Sequence, residues 1–119
     1  MKKLVVKAMA GTNDPERAAQ AFTVAATAAA SGFEVSLWLT SEASFFALPG
    51  QCESFELPHS APLNELRDAI LAAGSITLCT QCAARRGITE VDLISGITIK
   101  GSASFVQEIM DDGVQALIY

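Results

Sequence analysis

The sequence predicts an α/β fold in which a mostly parallel sheet lies between layers of helices. Three observations support it. Short apolar segments alternate with helical segments along the whole chain, the helical segments carry start and stop signals, and the second strand has apolar residues on both faces. Right-handed crossovers between parallel strands place helices on both sides of a sheet. A chain of 119 residues has room for one domain, covering residues 1–119.

The first third of the chain predicts a strand, a helix and a second strand. Leu4 to Met9 is short and rich in β-branched residues, and a turn follows it. Asp14 is a suitable N-cap because Pro15 comes directly after it, at the position where a helix tolerates proline. The helix then runs to Ser31, and residues 35–39 form the second strand.

The rest of the chain continues the alternation after an irregular stretch that is rich in proline. Glycines or N-capping residues bound most of the segments. The expected elements are a short helix at 41–48, a helix at 63–73, a strand at 75–79, a helical turn at 82–86, a short turn at 89–94, a strand at 97–99, a helix that Ser102 caps and that ends at Gly113, and a closing strand at 115–118.

Charge and hydropathy exclude several classes of function. The net charge is −5 and no basic stripe is present, so nucleic acid is not an expected partner. The longest mainly apolar stretch, residues 18–33, is mostly alanine and holds several polar residues, so no membrane span is expected. The apolar run near the N-terminus is short and broken by Lys7, which argues against a signal peptide. We therefore expect a cytoplasmic protein.

Half of the residues are apolar and only 18% are charged, which is a high apolar share for a small domain. Such an excess predicts that part of the surface is buried between subunits. We expect a homo-oligomer, the alternative being an alanine-rich monomer.

The segment Cys79-Thr80-Gln81-Cys82 is the strongest candidate for chemistry. Ligands and reacting groups gather at the carboxyl ends of parallel strands, and Cys79 ends the third strand. Cys82 is expected where a helical turn begins, and a thiol there faces free N–H groups that favour the thiolate. Arg85 and Arg86 add positive charge nearby. The two cysteines can also close a disulfide, or both can be small buried hydrophobes.

Other candidate residues have simpler explanations. Gly11, Thr12 and Asn13 could bind an anion at the end of the first helix, but a tight turn with an N-cap also explains them. Zinc would need Cys52 and His59 as further ligands, and neither belongs to a motif of its own. We expect no metal and no cofactor.

These residues together resemble the DsrE/DsrF-like family, which includes the sulfur-relay subunits DsrE and TusD and the YchN-type hexamers. The resemblance covers nearly the full length, and the segment from Cys79 to Gly87 is its most specific part. The matching segments are Gly11 to Arg17, Ala28 to Leu37, Leu63 to Leu66, Cys79 to Thr89 and Asp92 to Gly96.

The resemblance implies a three-layer α/β/α sandwich with a five-stranded sheet, assembled into homotrimers or homohexamers. It also implies that Cys79 accepts a sulfane sulfur as a persulfide and passes it to a partner protein. Cys82 then corresponds to the second cysteine of a CxxC-bearing branch, sometimes described as peroxiredoxin-like, and Arg86 supplies positive potential. The single-cysteine relay pattern lacks a residue like Cys82.

The sequence leaves three alternative hypotheses for the function. The first is a sulfur carrier or transfer protein that uses Cys79, with a sulfur donor or acceptor protein as its partner. The second is a thiol-disulfide redox protein in which Cys79 and Cys82 form a pair. The third is a non-catalytic oligomeric binding module. If the protein is an enzyme, it is sulfurtransferase-like or a thiol oxidoreductase.

Overall fold

A computed structural model describes residues 2–119 and places one sheet between layers of helices. Two short 3-10 helices, Ser41–Ala47 and Glu90–Asp92, lie in the connections. The main elements in chain order are β1 (Lys3–Ala8), α1 (Pro15–Ala30), β2 (Glu34–Leu39), α2 (Leu63–Ala73), β3 (Ser75–Cys79), α3 (Thr80–Arg85), β4 (Thr98–Lys100), α4 (Ser102–Ile109) and β5 (Val114–Ile118).

The five strands are arranged in the order β4-β3-β2-β1-β5, and each pair of neighbours is parallel. The predicted α/β sandwich with a five-stranded sheet is therefore confirmed, and the sheet is parallel throughout rather than mostly parallel. Across residues 2–119, no helix is both long enough and apolar enough to cross a bilayer.

One face of the sheet is apolar and packs against α1 and α2. Val6 lies beside Leu37 in the register of β1 and β2, and all of their side-chain surface is buried. Phe22 of α1 and Ile70 of α2 belong to the same core. This face removes most of the apolar surface from water and supplies the main stabilisation of the fold.

The opposite face of the sheet carries polar residues in its middle, and α4 covers it. Lys7, Trp38 and Thr77 lie side by side on β1, β2 and β3. Phe105 of α4 packs edge-to-face on Trp38, with ring centroids 5.2 Å apart. The Nζ atom of Lys7 lies 5.2 Å from the centre of the same Phe105 ring.

Glu108 holds α4 to this polar face. Its carboxylate accepts hydrogen bonds from Ser36 Oγ at 2.7 Å, from Trp38 Nε1 at 2.9 Å and from Lys3 Nζ at 3.2 Å. Partial burial raises the pKa of Glu108, but these three donors outweigh burial and hold it below the usual value. The carboxylate is therefore more stable as an ion in the folded protein than in the unfolded chain.

The predicted start of the helical turn near Cys82 is wrong. α3 begins at Thr80, and Cys79 is its N-cap. The reason is that β3 runs into α3 without a loop, since the backbone of Cys79 is still extended (φ −65°, ψ 129°) and the next residue is already helical. Cys82 thus lies two positions further into the helix than predicted, at the third helical residue.

The predicted limits of the last helix also need correction. Ser102 is the first helical residue rather than the cap, and α4 ends at Ile109 instead of reaching Gly113. Residues 111–113 form a turn in which the N–H of Val114 bonds to Asp111 O at 3.4 Å. Gly113 adopts φ +77°, which only glycine reaches without strain, and this bend directs the chain into β5.

We predict that Glu108→Gln lowers the free energy of unfolding at pH 7 by about 2 kcal/mol, since a charge-assisted set of hydrogen bonds is weakened. Because the pKa of Glu108 is lowered on folding, its contribution is present above the usual pKa and is lost as the pH falls through the lowered value. Urea unfolding between pH 7 and pH 3, followed by fluorescence of the single tryptophan, measures both effects.

The variant should lose less stability on acidification than the wild type. Glu56→Gln removes a carboxylate from an exposed loop position and serves as the matched control, with a change within about 0.5 kcal/mol. Parallel acid profiles of wild type and Glu108→Gln would contradict the role given to Glu108.

Candidate functional site

Cys79 lies at the carboxyl end of β3, on the polar face of the sheet. It follows Thr77 by two residues, so both side chains point to the same side. Lys100 is its neighbour on β4 and is exposed. The thiol of Cys79 is partly exposed and takes part in no disulfide. It is therefore placed where a small reactant can reach it.

The surroundings of Cys79 favour its ionised form. Partial burial raises the pKa of the thiol, but the N–H and the thiol of Cys82, the N–H of Gln81 and the charge of Lys7 together hold the pKa below its usual value. The two N–H groups face the sulfur without the alignment of a regular capping hydrogen bond. A lowered pKa increases the fraction of thiolate, which is the nucleophilic form of cysteine.

A small pocket opens beside Cys79 and is closed by α4. Phe105 and the ring of Trp38 both line it, and the Nε1–H of Trp38 is bonded to Glu108. The complete lining consists of Lys7, Trp38, Thr40, Cys79, Ser102 and Phe105. Residues from three strands and one helix thus meet around the thiol.

Cys82 is buried, in contrast to Cys79. Only 9% of its surface is exposed, and its Sγ accepts a hydrogen bond from the N–H of Ser41 at 3.2 Å. Ser41 has φ +51°, in the left-handed region that non-glycine residues rarely adopt. The 3-10 helix that starts at Ser41 is thereby joined to α3 through the Cys82 sulfur.

The side chain of Arg86 contacts groups other than the Cys79 thiol. Its guanidinium lies 3.5 Å from the carboxylate of Glu42 and donates a hydrogen bond to Cys82 O at 3.2 Å. It also lies over the ring of Phe45, 5.6 Å from the ring centre. The positive charge that lowers the pKa of Cys79 is that of Lys7.

The loop that holds Gly11, Thr12 and Asn13 packs against the same 3-10 helix as Arg86. The N–H of Gly11 bonds to Asn13 Oδ1 at 2.9 Å, which gives the expected tight turn. A Cβ atom on Gly11 would lie 2.5 Å from Glu42 O, so only glycine fits this approach. Thr12 is exposed. The structure places Gly11 and Arg86 next to Glu42, with Asn13 bonded to Gly11, and places Cys79 with Lys7 on the polar face.

Cys52 and His59 lie away from this site. Burial raises the pKa of the Cys52 thiol to about 11, although Arg67 opposes the rise, and the thiol donates to Phe46 O at 3.6 Å. His59 is exposed in the irregular stretch before α2. Within residues 2–119, no three His, Cys, Asp or Glu side chains are grouped as ligands of a metal ion.

Sequence reasoning did not identify Lys7, Trp38, Ser102 and Phe105 as neighbours of Cys79. One signal was available, because a lysine interrupts an apolar strand that the fold places inside the sheet, between β2 and β5. The contributions of Ser102 and Phe105 depend on how α4 packs across the sheet, which no local pattern encodes.

We predict that the three thiols differ in reactivity. At pH 7, iodoacetamide should modify Cys79 at least about tenfold faster than Cys82, because Cys82 is buried, and it should leave Cys52 unmodified in the folded protein. The rate at Cys79 should level off at a pH below the usual thiol pKa. Peptide mass spectrometry after timed quenching measures each site, and urea-unfolded protein, in which all three react, is the control. Equal rates at Cys79 and Cys82 would contradict the site.

Comparison with known proteins agrees with this architecture. The solved structure of YchN from E. coli superposes with a TM-score of 0.82 and 22% identity, covering 100% of both chains. The structure of MTH1491 from Methanobacterium thermoautotrophicum gives a TM-score of 0.73 at 10% identity, again covering 100% of both chains. At these identities, the two structures support the fold alone.

The sequence is also similar to a longer protein. It is 29% identical over 106 residues to the uncharacterized protein MJ0760 of Methanocaldococcus jannaschii, and the match covers 88% of this chain but 38% of that relative. The chain therefore spans well under half the length of that protein. The model of the DsrE/DsrF-like family matches residues 2–117. The chain belongs to the DsrE/DsrF-like family.

Proposed function

We propose that this protein carries sulfane sulfur as a persulfide on Cys79. The observation that carries the proposal is the contrast among the three thiols. Cys79 is partly exposed and has a lowered pKa, whereas Cys52 and Cys82 are buried. Membership of the DsrE/DsrF-like family, which includes sulfur-relay proteins, supports the same function.

Loading needs a thiolate and a donor with a sulfane sulfur. The Cys79 thiolate attacks the end sulfur of a polysulfide, and a bond forms between Sγ and that sulfur. The S–S bond of the donor breaks, and its electron pair leaves with a polysulfide that is one sulfur shorter. No other oxidant, reductant or proton is required when donor and product are both dianions. A thiolate at neutral pH is therefore the main requirement, and the lowered pKa of Cys79 meets it.

Unloading reverses the roles of the atoms. A thiolate of the acceptor protein attacks the outer sulfur, and the bond between that sulfur and Sγ breaks, returning Cys79 to the thiolate. Thiols of low pKa are the better leaving groups in such exchanges. The groups that stabilise the Cys79 thiolate thus assist release as well as capture.

A dithiol cycle between Cys79 and Cys82 is the second candidate, because the thiol of Cys82 is close enough to affect the pKa of Cys79. Closing the disulfide would remove two electrons and two protons, which an oxidant must accept. The carrier function is favoured because Cys82 is buried and its sulfur is held by the N–H of Ser41.

We also propose that the protein associates with copies of itself through the edge formed by β5 and α4. β5 is an outer strand of the sheet, and an unpaired strand edge is a template for pairing with another strand. Large apolar side chains are exposed there, among them Met110 (75% exposed) and Ile118 (63% exposed). The high apolar share of the sequence gives the same expectation, and the family resemblance implies three or six copies.

We predict that reduced wild-type protein gains the mass of one sulfur atom after brief treatment with polysulfide, and that Cys79→Ser gains none. Cys82→Ser should gain sulfur to about the same extent as wild type, since a carrier needs only Cys79. Whole-protein mass spectrometry measures the three samples, and Cys52→Ser is the control for the loss of an unrelated thiol.

Two results would overturn the carrier function. One is a loss of two hydrogens in wild type without added sulfur, which would establish the disulfide cycle, particularly if Cys82→Ser abolishes it. The other is no change of mass in wild type, which would favour a binding module.

We predict that wild-type protein sediments as a species of several chains and that Met110→Glu with Ile118→Lys shifts it toward the single chain. The added charges cannot be buried between subunits without a large desolvation cost. Analytical ultracentrifugation measures the shift. Val91→Lys, at an apolar position that is 92% exposed and lies elsewhere, is the control. A monomeric wild type, or a double variant that sediments like wild type, would contradict this interface.

A further inference from the structure

The pocket beside Cys79 is far too small for an organic ligand. Its volume is about 30 Å³, whereas pockets for small molecules usually measure about 300–1,000 Å³. A single water molecule needs about 10–15 Å³ of such space. The pocket therefore has room for one or two atoms next to the Cys79 sulfur.

Lys7 gives this pocket a positive charge that no carboxylate in the described part of the chain neutralises. Four other basic residues, Lys3, Arg17, Arg67 and Arg86, form ion pairs with carboxylates. The remaining three, Lys2, Arg85 and Lys100, are exposed to water. Among residues 2–119, Lys7 is the single basic side chain that is partly buried and has no carboxylate partner.

A partly buried cation without a counter-ion is unfavourable unless something compensates for its lost hydration. The ring of Phe105 supplies part of the compensation, because Lys7 Nζ lies 5.2 Å from its centre. Glu108 is the carboxylate of α4 that reaches this face, but its oxygens are bonded to Ser36, Trp38 and Lys3. An anion in the pocket would compensate for the rest of the hydration that the Lys7 ammonium loses.

We infer that this pocket is a subsite for one anionic sulfur atom, the outer sulfur of a Cys79 persulfide, and that Lys7 is its counter-charge. The inference rests on the proposed carrier function. It adds where the outer sulfur of the persulfide lies and which side chain balances its charge. Persulfides are more acidic than thiols, so the outer sulfur is an anion at neutral pH. The Lys7 ammonium stabilises that anion and favours the approach of an anionic donor to the Cys79 thiolate in the loading step.

The rest of the lining fits a single sulfur atom. Trp38 and Phe105 present aromatic surface, which suits a large polarisable atom. The hydroxyl of Thr40 donates to Ala8 O at 3.0 Å and is therefore occupied. Ser102 is exposed at the edge of the pocket and can donate a hydrogen bond to the bound anion. The small volume accommodates one added sulfur atom next to Sγ.

The test compares two alkylating agents that differ in charge. Iodoacetate is an anion and iodoacetamide is neutral, and both transfer a carbon to the Cys79 thiolate with loss of iodide. Their rate ratio at Cys79 reports the local positive charge without any persulfide chemistry and cancels the thiolate fraction. We expect Lys7→Gln to lower the iodoacetate-to-iodoacetamide ratio about fivefold and Lys7→Arg to keep it near the wild-type value. Lys7→Met, which retains an apolar stem over Phe105, replaces Lys7→Gln if that variant does not fold.

Two matched variants control for net charge. Lys2→Gln removes a charge at the far end of the molecule, and Lys100→Gln removes the exposed charge next to Cys79 on β4. Both should change the ratio less than twofold, because solvent screens exposed charges. A ratio that is unaffected by both neutral Lys7 variants, or that falls equally in Lys100→Gln, would overturn the subsite.

A second readout separates this inference from the carrier function. After polysulfide treatment, wild type should hold one added sulfur, and Lys7→Gln should hold several-fold less at equal times. Sulfur uptake that does not depend on Lys7, together with an unchanged rate ratio, would refute the subsite and retain the carrier. A Lys7-dependent ratio without any sulfur uptake by wild type would refute the carrier and support an anion subsite beside Cys79.

Discussion

The carboxylate of Glu108 is the contact on which the polar half of this molecule depends. It receives hydrogen bonds from β1 and β2 and so fixes the one helix that covers this face. α4 is only eight residues long and none of its residues is fully buried, so packing alone would position it weakly. Because the carboxylate of Glu108 is bonded to the sheet, Phe105 is held against Trp38 and Lys7. Phe105 can then line the pocket beside Cys79. The pocket beside Cys79 thus depends on the hydrogen bonds of Glu108, which follows Phe105 by about one turn of α4.

The two cysteines of the CxxC segment differ because a strand passes directly into a helix between them. Cys79 keeps the strand's side-chain alternation and lies on the polar face, where a reactant can reach it. Cys82 follows the helix and is buried against Ser41. Their spacing suits a disulfide, but their surroundings differ, since Cys79 is partly exposed and Cys82 is buried. Cys82 supports the ionisation of Cys79 through its N–H and thiol, and Ser41 holds the Cys82 sulfur in place.

Local sequence signals predicted the strands and the first helices because turn residues, caps and apolar periodicity act over a few residues. Cys79 could be selected as well, since the carboxyl end of a central parallel strand is a recurrent place for reactive groups. The charge next to it was assigned to Arg86, which is near in sequence, whereas the structure pairs Arg86 with Glu42 and brings Lys7 to the thiol. Lys7 precedes Cys79 by more than seventy residues. Only the register of β1, β2 and β3 makes them neighbours, and that register is a property of the whole sheet.

A carrier of sulfur must satisfy two opposing demands. A thiolate of very low pKa is abundant but is a weaker nucleophile, while a thiol of ordinary pKa is mostly protonated at neutral pH. At Cys79, burial acts against ionisation and the nearby N–H groups and Lys7 act for it, so the net shift is a balance rather than the effect of one strong charge. A cation beside the sulfur also acts on an anion that the sulfur carries, and the N–H groups at the start of α3 do this less well because they lie next to Sγ itself. In the proposed carrier, the lysine on β1 therefore acts on the loaded state as the start of α3 acts on the empty one.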